Sequence, residues 1–77
     1  MNTKIVQIIE FKNPVSVIYE GQVMWKAIKV TKVYVLRSGK PSFVIDETGD
    51  KYDFEYVSDK DLIYRTIVRN LMFKELV

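Results

Sequence analysis

Through the first 56 residues apolar and polar positions alternate with the period of two that marks strands, and from residue 59 the period lengthens to that of a helix. Ile5, Ile9 and Phe11 share one face over residues 4–11, with Gln7 as the exception, and predict a first strand. Asn13-Pro14 ends it, because proline lacks a ladder donor and biases the residue before it away from helix. Val15, Val17 and Tyr19 restart the alternation over 15–20, and Glu20-Gly21 supplies a reversal into a β-rich run over 23–36. In that run Ile28 and Val30 have one parity and Val33 and Val35 the other, so a bulge or sharp bend is expected near Thr31-Lys32. A strand bent in this way curls a few-stranded sheet around its core, which favours a closed or half-closed barrel.

Ser38-Gly39-Lys40-Pro41 reads as a turn into residues 42–56, where period, turn chemistry and charge agree. Strands over 42–46 and 51–56 flank Glu47-Thr48-Gly49-Asp50, in which Gly49 can take the positive φ of a tight turn. Placing Asp46 opposite Lys51 sets Ile45 against Tyr52 and Phe43 against Phe54, and predicts an inner face of Phe43, Ile45, Tyr52 and Phe54. A helix over 59–75 follows. Ser58 with Asp61 resembles a capping box, acids crowd the first turn, and Arg65, Arg69 and Lys74 come later, as the helix dipole prefers. Ile63, Ile67 and Leu71, flanked by Leu62, Tyr64 and Val68, form an apolar stripe to lid the sheet. A helical turn and a last strand are the alternative for the β-branched IYRTIV.

The expected fold is therefore α+β, a strongly bent antiparallel meander of about five strands, SH3-like or half-barrel, with a C-terminal helix. At 77 residues it is one domain (1–77), and a chain of this size buries only about 60% of its unfolded surface. The 48% apolar content is enough for a core and argues against disorder. No apolar run reaches the roughly 18 residues of a membrane span, and MNTKIVQIIE lacks the apolar core and cleavage site of a secretory signal. A cytoplasmic location without membrane attachment is expected.

Cysteine and histidine are both absent, which removes disulfides, thiolate nucleophiles, the usual zinc sites and every triad built on imidazole. Asp46, Glu47 and Asp50 lack the glycine and distal glutamate of a calcium loop. No cofactor, no metal and no catalysis is expected.

The formal charge of +2 conceals a segregation along the chain. Residues 22–45 carry Lys26, Lys29, Lys32, Arg37 and Lys40 and no acid, whereas residues 46–61 carry seven acids against two lysines. With Trp25 and Tyr34 among them, the basic residues combine phosphate-neutralising charge with rings on which unpaired bases stack. The plainer reading is that these lysines face Asp53 and Glu55 across neighbouring strands and that Trp25 belongs to the core. Asp46, Glu47 and Asp50 form a solvated turn or a negative patch for a basic protein partner. Met72, Phe73 and Leu76 extend apolar surface beyond the helical stripe and suggest a homodimer or partner contact.

The run VIDETGDKYDF, followed by Asp61-Leu62, resembles the distal end of small SH3-like barrels of phage and prophage type, in which an Asp-Glu-x-Gly-Asp turn joins two aromatic-rich strands. It covers roughly 20 of the 77 residues. The resemblance implies a barrel fold and a mobile-element origin, and it assigns no residue a role. The function expected is a small non-enzymatic binding module that recognises a protein partner; the alternative is single-stranded nucleic-acid binding through the basic aromatic stretch 25–40.

Overall fold

A computed structural model describes the backbone of residues 4–75, and the side chains among them except those of Val6 and residues 71–75. Four antiparallel strands form one open sheet in sequence order: β1 (Ile5–Glu20), β2 (Trp25–Leu36), β3 (Pro41–Asp46) and β4 (Lys51–Asp53). A single 3-10 turn (Phe54–Tyr56) leads to the helix α1 (Lys60–Glu75). The α+β class and the meander are as the pattern predicts. The sheet has four strands instead of about five, and it does not close into a barrel.

The missing strand has a simple cause. Residues 4–11 and 15–20 belong to one continuous strand, because Asn13-Pro14 sits in a wide bulge. Glu10 pairs with Lys32 and Val15 with Val30, so four residues of β1 face only Thr31 of β2. Inside such a bulge the ladder asks no N–H of Pro14, and the chain continues. In the other ladder Thr31 is itself the extra residue, since Val30 pairs with Asp46 and Lys32 with Ile45. Its hydroxyl donates to the carbonyls of Ile45 and Asp46, at 3.2 and 3.4 Å. This is the predicted bend. It lets Ile28, Val30, Val33 and Val35 all face inward despite their two parities.

The core lies between the inner face of the sheet and α1. Val30, Val33, Val44, Phe54, Val57 and Ile63 are almost wholly buried, joined by Ile9, Phe11 and Val17 of β1. The hairpin register is one residue away from that expected. Phe43 pairs with Asp53, Val44 with Tyr52 and Ile45 with Lys51, so Val44 and Tyr52 face inward while Phe43 and Ile45 lie half-buried on the outer face. Two interactions outweigh the loss of Phe43 from the core. Its ring stacks on Tyr34 (centroids 4.4 Å apart) with the Lys51 ammonium 4.3 Å above it, and the turn closes on the Asp46 carboxylate, as described below.

After β4 the chain does not continue as a strand to residue 56. The Asp53 side chain accepts from the Glu55 amide at 2.9 Å and starts the 3-10 turn. Beyond it one isolated bridge, Tyr19 to Val57, and the Ser58 amide donating to the Ile18 carbonyl hold the connection against β1. The helix cap is Asp59, not Ser58. Its carboxylate accepts from the Leu62 amide at 3.1 Å, so α1 begins at Lys60 and IYRTIV is helical. Ile63 is buried, Leu62 and Ile67 pack beside it, and Tyr64 and Val68 of the expected stripe are exposed. Asn70 donates to the Glu10 carbonyl at 3.2 Å and so occupies part of the free edge of β1. No helix among the described residues is long and apolar enough to cross a membrane.

The Lys60 ammonium donates to the carbonyls of Glu55 (2.6 Å) and Val57 (3.0 Å) and lies near the Phe54 ring, so one cation satisfies the 3-10 turn. Lys60→Met keeps the aliphatic stem and removes both bonds. It is expected to lower stability by about 1.5–3 kcal/mol in urea denaturation, whereas Arg65→Met, which breaks only an exposed i,i+4 pair with Asp61, costs under about 0.5 kcal/mol.

Candidate functional site

Among the described residues the most exposed apolar surface is the tip of the β1–β2 hairpin. Glu20 pairs with Trp25, and the Gly21 amide donates to the Met24 carbonyl at 2.9 Å, so the reversal falls at Gln22-Val23 and β2 begins at Trp25 instead of residue 23. Val23 is 99% exposed, Trp25 74% and Met24 43%. Trp25 is therefore not a core residue. Alternation carries its side chain to the outer face, and among the described residues no element covers the end of the hairpin.

The tip is braced from below. A Cβ on Gly21 would come within 2.6 Å of the Tyr19 ring, so this approach requires glycine. Tyr19 in turn packs on Tyr52 (centroids 5.0 Å) and edge-on to Tyr56 (6.2 Å). Three tyrosines from β1, β4 and the 3-10 turn thus support one end of the sheet. Beside them the Lys26 ammonium donates to the Tyr52 hydroxyl at 3.1 Å. That hydrogen bond raises the Lys26 pKa above its ordinary value.

The basic residues do not converge. Lys26 lies on the inner side, held to Tyr52. Lys29 is exposed opposite Ser16, and Lys32 is on the outer face in an ion pair with Glu10 at 3.7 Å. Tyr34 is stacked against Phe43 and does not present a free ring face on that side. Arg37 and Lys40 are exposed at the β2–β3 turn, roughly 40 Å of strand contour from Trp25. The expected neutralisation by Asp53 and Glu55 is not observed: among the described residues the ion pairs are Lys32–Glu10 and Arg65–Asp61. Strand β2 neighbours β1 and β3, and β4 lies one strand too far.

The acidic turn is an internally bonded loop. Asp46 is only 6% exposed, and its Oδ1 accepts from the Thr48 hydroxyl (2.7 Å), the Thr48 amide (2.9 Å) and the Asp50 amide (3.0 Å). Gly49 has the positive φ expected of it, at 91°. Glu47 and Asp50 are exposed, so the three acids do not act together. Among the described residues no group of three histidines, cysteines or acids is arranged to hold a metal ion. Leu76 lies outside the described residues, as do the side chains of Met72 and Phe73.

A further concavity, which residue patterns did not reveal, runs between the β1 bulge and α1. It has a volume of about 880 Å³ and is floored by Phe11, Val15 and Leu62, with Lys12, Thr66 and Arg69 along its rim. Only the bulge at Phe11 to Pro14 could have signalled it, and that bulge is legible only once the two ladders are paired.

Burial alone would raise the Asp46 pKa, but the hydrogen bonds from Thr48 and Asp50 hold it below the ordinary 3.8. A depressed pKa means that the folded state releases this proton more readily than the unfolded chain. The resulting stability is complete above the ordinary carboxylate range and is lost as pH falls below about 3.8 toward the folded pKa. Asp46→Ala is expected to cost about 2–3 kcal/mol at pH 7 in denaturant unfolding and to flatten the loss of stability between neutral and acid pH.

Comparison of the chain with family models, with curated proteins and with solved structures finds no match in any of the three.

Proposed function

We propose that the protein is a non-enzymatic protein-interaction module whose contact element is the hairpin tip Val23–Trp25. The observation that carries this reading is the exposure of three consecutive apolar residues at the end of a hairpin whose Gly21 packs against the Tyr19 ring. Tryptophan is enriched among the residues that dominate interface energies, because it brings large area with only two side-chain torsions. A tip closed by the Gly21–Met24 hydrogen bond and carried on a strand paired up to Glu20–Trp25 starts with less conformational freedom to lose on binding than an open loop. A regulatory or inhibitory role is consistent with a module of this size. The absence of histidine and cysteine supports a role without catalysis.

Single-stranded nucleic-acid binding is the lesser reading. It draws on the exposed ring of Trp25, but Lys26, Lys29, Lys32 and Arg37 are divided between both faces and both ends of β2, whereas a phosphate track needs them in line.

Two measurements separate the readings. Immobilised wild-type protein in cell extract at moderate salt is expected to retain a protein that Trp25→Ala releases; identical retention by both would remove the tip from the argument. Adding a single-stranded oligonucleotide at low salt is expected to leave Trp25 fluorescence unchanged, and a salt-sensitive quench would reverse the preference.

A further inference from the structure

Two features left open by the fold complement each other. The tip offers Val23, Met24 and Trp25, with one free charge beside them: Glu20 is exposed across from Trp25, while the Lys26 ammonium is drawn away to Tyr52. The groove between the β1 bulge and α1 offers an apolar floor of Phe11, Val15 and Leu62 under a basic rim of Lys12 and Arg69. Glu10 also lines this groove, but its carboxylate is engaged by Lys32. Neither Glu20, Lys12 nor Arg69 is in an ion pair among the described residues. The groove volume of about 880 Å³ falls in the range that accepts a compact cluster of apolar groups.

We infer that the tip of one copy docks in the groove of a second copy, with Glu20 set against Lys12 and Arg69, so that the partner recognised by the tip is this chain itself. A tip cannot reach its own groove. Both lie on β1, separated by the extended residues 15–20, or roughly 17 Å of strand, and the Tyr19–Gly21 contact keeps the hairpin from folding back. Reciprocal insertion satisfies both tips and closes the assembly as a pair, which avoids the open chain that a one-way contact would propagate. The inference rests on the tip being a protein-binding element and names its partner.

Trp25 is the sole tryptophan, so its emission reports insertion directly. Sedimentation of the full chain from micromolar to near-millimolar concentration is expected to show a monomer–dimer equilibrium, with Trp25 emission moving to the blue as the dimer forms. Trp25→Ala and Arg69→Glu alter exposed residues, and each is expected to weaken association by about tenfold or more. Mixing the two variants is expected to recover part of the association, because one retains its groove and the other its tip. The double variant Glu20→Arg/Arg69→Glu is expected to recover most of it. A protein that stays monomeric with unshifted emission overturns the inference, as does a dimer indifferent to both single variants. If such a monomer still captures a different protein through Trp25, the inference falls while the proposed function stands; if capture is also unchanged in Trp25→Ala, both fall.

Discussion

The extra residue at Thr31 is the constraint on which the rest of the structure depends. One strand must pair with β1 on one side and β3 on the other, and its inward residues change parity midway, from Ile28 and Val30 to Val33 and Val35. A regular strand would bury one pair and expose the other, forgoing roughly 3–6 kcal/mol of apolar burial in a chain whose total stability is of similar size. The bulge removes that conflict and shifts both neighbouring ladders. On β3 the shift is one residue, held by the Thr31 hydroxyl. On β1 it becomes the four-residue excursion from Phe11 to Pro14, which forms one wall of the groove against α1. The bend, the uninterrupted β1 and the groove are thus one event in three places.

A second competition sets the β3–β4 hairpin. Opposing apolar residues across the strands favours Asp46 against Lys51, with Phe43 and Ile45 inside. The loop favours the register one residue away, in which the Asp46 carboxylate collects two amides and a hydroxyl and the Asp46 amide donates to the Asp50 carbonyl at 3.0 Å. The loop prevails because a buried carboxylate without those donors is far more costly than a half-exposed phenylalanine. Phe43 is not wasted on the outer face, where Tyr34 and Lys51 cover it.

These two competitions mark how far the sequence could be read. The bend at Thr31, the turn at Gly49, the helix and the α+β class were legible, because each rests on local periodicity or on a residue with one conformational use. The union of 4–11 and 15–20 into β1 was not, since Pro14 terminates a regular strand and is harmless only in a bulge whose size depends on β2. The hairpin register was misread for a related reason: alternation counts apolar residues and is blind to what a carboxylate can accept within its own loop. The charge segregation was real along the chain but did not survive folding. Lys26 is on the inner side of the bent strand while Lys29 and Lys32 are on its outer face, and the acids that were to neutralise them stand on β4 and the 3-10 turn, which β3 separates from β2.

Trp25 is where these constraints meet function. A 77-residue chain has a thin core, and this one is built largely from valine, with Val30, Val33, Val44 and Val57 at its centre. Its largest apolar side chain is nevertheless outside. Burying a tryptophan would add several kcal/mol, and a shift in the β1–β2 hairpin of the kind tolerated elsewhere in this sheet would have turned Trp25 inward. Instead the closed pair Gly21–Met24 and the close approach of Gly21 to Tyr19 fix the register that leaves Trp25 in solvent. Folding does not need the ring there, and the ring contributes apolar stabilisation only where another surface covers it. The same bulge that lets β1 run through to carry this tip also opens a groove with a basic rim midway along the strand, so the architecture that withholds tryptophan from the core supplies a surface suited to receive it.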